Sequence, residues 1–232
     1  MGHMQIFYLT QDFVQVPSDG SWLAESEQAR VTGMRFPKRR NDWLLGRWTA
    51  KCAIRVFLAQ EGKSAPEFAD LEIRSAPDGA PEAFNSGVPA QVSIAISHSG
   101  GRGFCLVGPP GQALGCDIEL IERRNLEFIR DYLADEEQTV VEDAPSDMQP
   151  LRATLMWSAK ESALKCLREG LRRDTRSVRI RLAPDSVPGW NPFMVECLDP
   201  TMHFYGWWRD ERLFIETIAA GVQLGRPIEL LL

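Results

Sequence analysis

The chain repeats itself, and that repeat constrains its fold more than any other feature. Trp48-Thr49-Ala50-Lys51 returns 109 residues later as Trp157-Ser158-Ala159-Lys160. Ile73-Arg74-Ser75-Ala76-Pro77-Asp78-Gly79-Ala80-Pro81 returns 107 residues later as Ile180-Arg181-Leu182-Ala183-Pro184-Asp185-Ser186-Val187-Pro188. Two matches in one order at nearly one offset imply two related α+β halves. Strand-turn-strand patterns follow in both, over 92–107 around Gly100-Gly101-Arg102-Gly103 and over 203–219 around Arg209-Asp210-Glu211-Arg212. The junction falls near Pro109-Pro110-Gly111-Gln112, dividing the chain into 5–111 and 112–232.

The spacing predicts an amphipathic helix over 42–60 and another over 151–169, with short helices at 125–134 and 136–142. Asp135 is a candidate N-cap for the last of these. Residues 71–74 and 178–182 read as short strands ahead of Ala-Pro-Asp turns. At 44% hydrophobic and 25% charged, 232 residues can bury a sizeable core. Five cysteines without Cys-x-x-Cys spacing argue against a disulfide framework or a zinc site, and for a reducing, cytoplasmic setting. No run is long and apolar enough to span a membrane, and a net charge of −6 argues against nucleic acid. Met1-Gly2-His3-Met4 reads as an expression-vector remnant.

The chemistry concentrates in two pieces. Leu114-Gly115-Cys116-Asp117-Ile118-Glu119-Leu120 alternates as a strand, putting both carboxylates on the face opposite Cys116 and Ile118. Trp157 through Lys165 reads as a helix, with Glu161 and Lys165 one turn apart. Asp117 and Glu119 read equally as the wet face of an antiparallel strand, and Glu161 with Lys165 as a surface ion pair. Taken together, two strand carboxylates and one helix carboxylate make a hard-oxygen set suited to Mg²⁺, with a lysine beside it for phosphate.

In combination these pieces resemble the 4′-phosphopantetheinyl transferases of the surfactin-synthetase-activating type. The resemblance rests on Gly115-Cys116-Asp117-Ile118-Glu119, on Trp157 through Lys165, on Ser97-His98-Ser99 after the apolar run 92–96, and on the basic stretch from Lys38 to Leu44-Leu45-Gly46-Arg47. It implies two similar α+β halves related by a pseudo-twofold axis. The first would bind the nucleotide end of coenzyme A and the second would hold the metal, with substrate across the junction. It implies Asp117, Glu119 and Glu161 as Mg²⁺ ligands. Lys165 would sit on the pyrophosphate, and Glu161 or Glu137 would be the base, with Glu136 competing for the second role. For coenzyme A it implies Arg40 and Arg47 at the 3′-phosphate, Ser97 and His98 at a strand end, and the turn at Gly79 and Ala80 near the adenine. Ala80 departs from the family's lysine there, which removes a side-chain phosphate contact. For His98 alone, a satisfied buried histidine is the competing reading.

The activity so implied is Mg²⁺-dependent transfer of 4′-phosphopantetheine from coenzyme A to a serine of an acyl or peptidyl carrier protein, by a monomer. The alternatives are a non-catalytic coenzyme A- or carrier-binding module and a Mg²⁺ phosphohydrolase. The repeat also shows where its copies part: Glu161 is matched by Cys52, and Lys165 by Val56. The segment from Glu122 to Thr139, with Arg123, Arg124 and Arg130, is the expected docking element for an acidic carrier.

Overall fold

The computed structural model describes residues 3–183 and 187–232; the second Ala-Pro-Asp turn, through Pro184, Asp185 and Ser186, lies outside the described residues. The chain forms two compact units, Ile6–Gln112 with Ile228–Leu232, and Met1–Gln5 with Ala113–Pro227.

The first unit runs β1 (Phe7–Asp12), α1 (Glu25–Thr32), α2 (Pro37–Gln60), β2 (Leu71–Ser75), β3 (Pro81–Asn85), β4 (Val88–Pro89), β5 (Ser93–Ser99) and β6 (Arg102–Gly108). α2 starts five residues earlier than its apolar periodicity predicts. Pro37 stands at its first turn, where a missing N–H costs nothing, and the following basic residues are exposed and so leave no apolar signal. Leu45, Ala50, Ala53, Ile54 and Phe57 face inward from α2, which packs on β6, β1 and β5. β6 pairs antiparallel with both β1 and β5, while β2, β3 and β4 form a sheet of their own.

The second unit runs β7 (Leu114–Leu120), α3 (Leu126–Tyr132), α4 (Asp135–Glu142), α5 (Gln149–Cys166), β8 (Val178–Leu182), β9 (Asn191–Leu198), β10 (Thr201–Glu211) and β11 (Phe214–Ala220). Its five strands make one antiparallel sheet in the order β7-β11-β10-β9-β8. α5 lies over β7 and β11 and buries Leu155, Met156, Ala159, Ala163 and Leu164. The order β1-β6-β5 of the first unit is that of β7-β11-β10, and β3-β2 is that of β9-β8. The units differ in that β9 and β10 are zipped from Leu198↔Thr201 to Asn191↔Trp208, whereas β3 and β5 stand in separate sheets. A last strand, β12 (Ile228–Glu229), pairs parallel with β1.

Two local expectations are corrected. Ala134, not Asp135, is the N-cap of α4. β10 runs on to Glu211, so the turn is at Arg212 and Leu213, with Arg212 at φ 63°.

Each unit is pinned by the same buried ion pair. In the first, Lys51 Nζ meets Glu27 at 2.6 Å and donates to the Trp22 and Phe68 carbonyls, both at 2.9 Å. Glu27 also accepts the Ala24 and Ile73 N–H groups, each at 3.0 Å. In the second, Lys160 Nζ meets Glu137 at 2.8 Å and donates to the carbonyls of Thr175 and Val178. Glu137 accepts the N–H groups of Ala134 at 2.8 Å and Ile180 at 2.7 Å. All four side chains are buried. Such a pair survives in the interior only when its remaining hydrogen-bonding capacity is met, and here it is met on both sides.

Candidate active site

The face of β7 that carries the carboxylates is not its wet face. Gly115, Asp117 and Glu119 point toward α5, because the helix backbone crosses directly over Gly115. A Cβ at Gly115 would stand 1.8 Å from the Ser162 carbonyl oxygen, so only glycine permits this approach. The consequence is that Asp117 is only 3% exposed, and Cys116 and Ile118 on the opposite face are buried too. The solvated-strand reading fails for Asp117 because a helix covers the face that it predicts to be open.

α5 meets these carboxylates with its own side chains. Lys165 Nζ lies 2.7 Å from Asp117 Oδ1 and donates to the Cys116 carbonyl at 3.0 Å. Trp157 Nε1 donates to Glu119 Oε1 at 3.3 Å. Arg124, from the segment between β7 and α3, lies 3.5 Å from Glu119 Oε2. Burial drives the Glu119 carboxyl up to about 7, and the nearby Asp117 charge adds to it, against the pull of Arg124, Trp157 and Lys165. Burial raises Glu161 as well; Lys165 opposes that rise and Asp117 adds to it. For Lys165, burial works against the ammonium, yet Asp117 and Glu161 hold its pKa above the ordinary lysine value. Asp117, Glu119, Glu161 and Lys165 are thus one electrostatic cluster on β7 and α5.

The cluster is not a ready-made metal cage. Among the described residues no three His, Cys, Asp or Glu side chains stand close enough to hold a metal ion as they are. The reason is visible in the ion pairs: Lys165 takes Asp117 and Arg124 takes Glu119. The donor set is nonetheless all carboxylate oxygen, the chemistry that Mg²⁺ requires, with mutual charge repulsion that a divalent cation would relieve.

Glu137 is not part of this cluster. Its carboxylate is buried and consumed by Lys160 and two backbone N–H groups, which corrects its expected role as a base. Glu136 is on the surface, paired with Arg179 at 3.1 Å. The role of Glu137 is legible in a third repeat that the motif reading misses. Leu23-Ala24-Glu25-Ser26-Glu27-Gln28 returns as Leu133-Ala134-Asp135-Glu136-Glu137-Gln138, and Gln28 and Gln138 bond the Leu23 and Leu133 carbonyls alike.

The first unit carries a cavity of about 470 Å³ lined by Phe36, Lys38, Arg39, Asp42, Trp43, Arg47 and His98. The Arg47 guanidinium lies 4.4 Å over the Trp43 ring, and its Nε is buried with no hydrogen-bond partner among the described residues. Burial lowers its pKa to about 10, partly offset by the Glu27 charge and reinforced by that of Arg30. His98 is exposed at the end of β5, against α2 where Gly46 leaves room, so the buried-histidine reading fails. Ser97 is buried on β5, Arg40 is exposed on α2, and Gly79 (φ 92°) and Ala80 form the β2–β3 turn. None of these four lines the cavity. The five cysteines are buried, and no helix among the described residues is long and apolar enough to cross a membrane.

Comparison with known proteins bears on the second unit above all. Residues 113–203, which hold β7 and α5, match the 4′-phosphopantetheinyl transferase superfamily. A protein of Synechocystis sp., provisionally named 4′-phosphopantetheinyl transferase, is 23% identical over 72% of this chain and 65% of its own length. A holo-[acyl-carrier-protein] synthase of Streptococcus agalactiae is 37% identical over 34% of this chain and 65% of its own length. The chain thus spans 65% of the length of the curated relatives it matches. A holo-(acyl-carrier-protein) synthase from Bacillus anthracis, solved in complex with CoA (3′,5′-ADP), superposes on 45% of this chain and 94% of its own, with 21% identity and a TM-score of 0.37. The match to the 4′-phosphopantetheinyl transferase superfamily thus falls on residues 113–203, the stretch that carries β7 and α5.

Proposed function

We propose that this chain transfers 4′-phosphopantetheine from coenzyme A to a serine hydroxyl of an acyl or peptidyl carrier protein, as a Mg²⁺-dependent transferase of the surfactin-synthetase-activating type. The observation that carries the reading is Asp117 buried under α5 with Lys165 on its Oδ1 at 2.7 Å, flanked by Glu119 and Glu161. A half-buried lysine between carboxylates suits a polyanion better than a neutral substrate. The family match and the transferase and synthase names of the relatives support the same reaction class.

In this reading the serine oxygen attacks the phosphorus on the pantetheine side of the pyrophosphate. The bond to the departing 3′,5′-ADP breaks, and the serine proton leaves to a base. Glu161 is the base we assign, because burial raises its proton affinity above that of an ordinary glutamate. Lys165 holds the pyrophosphate as a point charge and steadies the leaving group. Mg²⁺, held by Asp117, Glu119 and Glu161, would neutralise charge on the pyrophosphate. In the first unit, Lys38, Arg39, Arg47 and His98 offer positive charge and hydrogen bonds to the nucleotide end, with the Arg47–Trp43 stack shaping that cavity.

Mass spectrometry of an apo carrier protein after incubation with coenzyme A and Mg²⁺ tests the reaction. A gain of the phosphopantetheine mass is expected. An unmodified carrier across a panel from fatty-acid, polyketide and peptide synthesis would sink the proposal, and release of pantetheine phosphate without carrier modification would point to a phosphohydrolase.

A further inference from the structure

Among the described residues, Arg124 is the one cation of the site that comes from neither β7 nor α5, and it is placed between the site and α3. Its Nη2 lies 3.5 Å from Glu119 Oε2, its Nη1 lies 3.1 Å from Glu122 Oε1, and its guanidinium stacks 4.9 Å from the Phe128 ring. Its side chain is 17% exposed, so the charge is mostly withdrawn from water. Phe128 in turn packs edge-on to Trp157 at 5.1 Å, and Trp157 holds the other oxygen of Glu119. Glu119 is therefore gripped at both oxygens by groups that rest on the same aromatic ring of α3.

From this geometry we infer that Arg124 is a built-in counter-ion that occupies Glu119 and must yield it for a divalent cation to bind. It is a positioning residue: it acts on the cation through Glu119. A cation and a guanidinium cannot share one carboxylate oxygen without repulsion, so each lowers the occupancy of the other. Arg124 thereby sets the cation affinity of the site below what three carboxylates alone would give. Because Arg124 also rests on Phe128, its release is coupled to α3, and a perturbation of α3 is felt at Glu119. The first unit has no equivalent, since β1 carries no carboxylate before Asp12 at its exposed end.

The inference rests on the proposed cation site, and the experiment separates the two. Mn²⁺ alone is titrated into the full-length chain, and the unbound ion is followed by electron paramagnetic resonance at low and moderate salt. Arg124→Gln should lower the Mn²⁺ dissociation constant about threefold to tenfold, as expected for removing one partly exposed charge next to a divalent ion. Arg124→Lys, which keeps the charge, should stay close to the unsubstituted chain. The gain in Arg124→Gln should shrink as salt screens the repulsion. Glu119→Gln should weaken Mn²⁺ in either background. If Mn²⁺ binds and Glu119→Gln weakens it while Arg124→Gln leaves it unchanged or weaker, the Arg124 inference falls and the cation site stands. If the unsubstituted chain and all variants bind no Mn²⁺, both fall. Thermal melts of each variant show whether it is folded, and Arg123→Gln, a neighbouring exposed arginine, controls for general charge.

Discussion

The two units share an anchor and differ one residue after it. Lys51 and Lys160 are buried at the same point of their helices, each closed onto a glutamate and two carbonyls. The next residue is Cys52 in one and Glu161 in the other, and one turn later Val56 stands opposite Lys165. The divergence also runs the other way, because Arg47, which lines a cavity, is matched by the core residue Met156. The lesson is that the lysine of the repeated Trp-x-x-Lys is structural in both copies. What differs around it is which polar groups each helix presents: a guanidinium in the first, a carboxylate and an ammonium in the second.

The largest effect should come from the position where the helices part. Glu161→Gln should lower the carrier modification rate about a thousandfold, equivalent to roughly 4 kcal/mol of barrier. Cys52→Ala, at the matching position of the first unit, should change it less than twofold. Intact-mass assays of both variants at one coenzyme A concentration make the comparison. Equal losses, or none, would show that the asymmetry is not where the chemistry lies.

The shared anchors should cost stability rather than chemistry. Glu27→Gln and Glu137→Gln each leave a buried lysine without its countercharge, and each should destabilise by about 3 kcal/mol in urea unfolding. Burial already lowers both lysines, so they will shed protons more readily once the carboxylate is gone. A Glu137→Gln variant of normal stability whose turnover is lost would return this residue to the catalytic role that its sequence position suggests.

Arg47 probes the other half of the division. Arg47→Ala should weaken coenzyme A by roughly 1.5–3 kcal/mol, as for loss of a charge-assisted contact, and 3′-dephospho-coenzyme A by much less. Calorimetric titration of both ligands reads the difference. If they weaken together, the Arg47 cavity serves another part of the molecule.

Much of this division is legible in the sequence, for reasons that differ by element. The spans of α5 and β8 follow from periodicity because both bury an apolar face locally. β1 leaves no such signal: its partners are β6 and β12, far along the chain, and only the fold brings them together. Two of the four motifs, Gly115 to Glu119 and Trp157 to Lys165, supply the cluster of Asp117, Glu119, Glu161 and Lys165. They do not show that Lys165 and Arg124 already occupy two of the carboxylates, since which ion pairs form depends on how a helix crosses a strand. Glu137 misleads because charged residues are expected at the surface, and only its copy at Glu27 reveals a structural pair.

The smallest effect concerns pH, and it separates the units again. In the folded chain Glu119 holds its proton up to about 7, chiefly because it is buried and next to Asp117, whereas an unfolded glutamate loses it near 4.5. Glu161 is raised in the same way. Between those values the folded state binds more protons than the unfolded one, so stability must fall as pH rises, and level off above about 7. A tenfold change in proton affinity is worth about 1.4 kcal/mol, but Glu119 is one-quarter exposed, so a total of about 1–2 kcal/mol between pH 5 and 8 is expected. The first unit contributes nothing comparable, with Cys52 in place of Glu161 and no carboxylate within β1 before Asp12. Urea unfolding at pH 5 and pH 8 in a chelating buffer measures the slope. Glu119→Gln with Glu161→Gln should flatten it and leave the doubly substituted chain more stable than the parent at pH 8. If the slope persists in that variant, the pH response arises elsewhere, and the cluster on β7 and α5 is not where this fold stores its electrostatic strain.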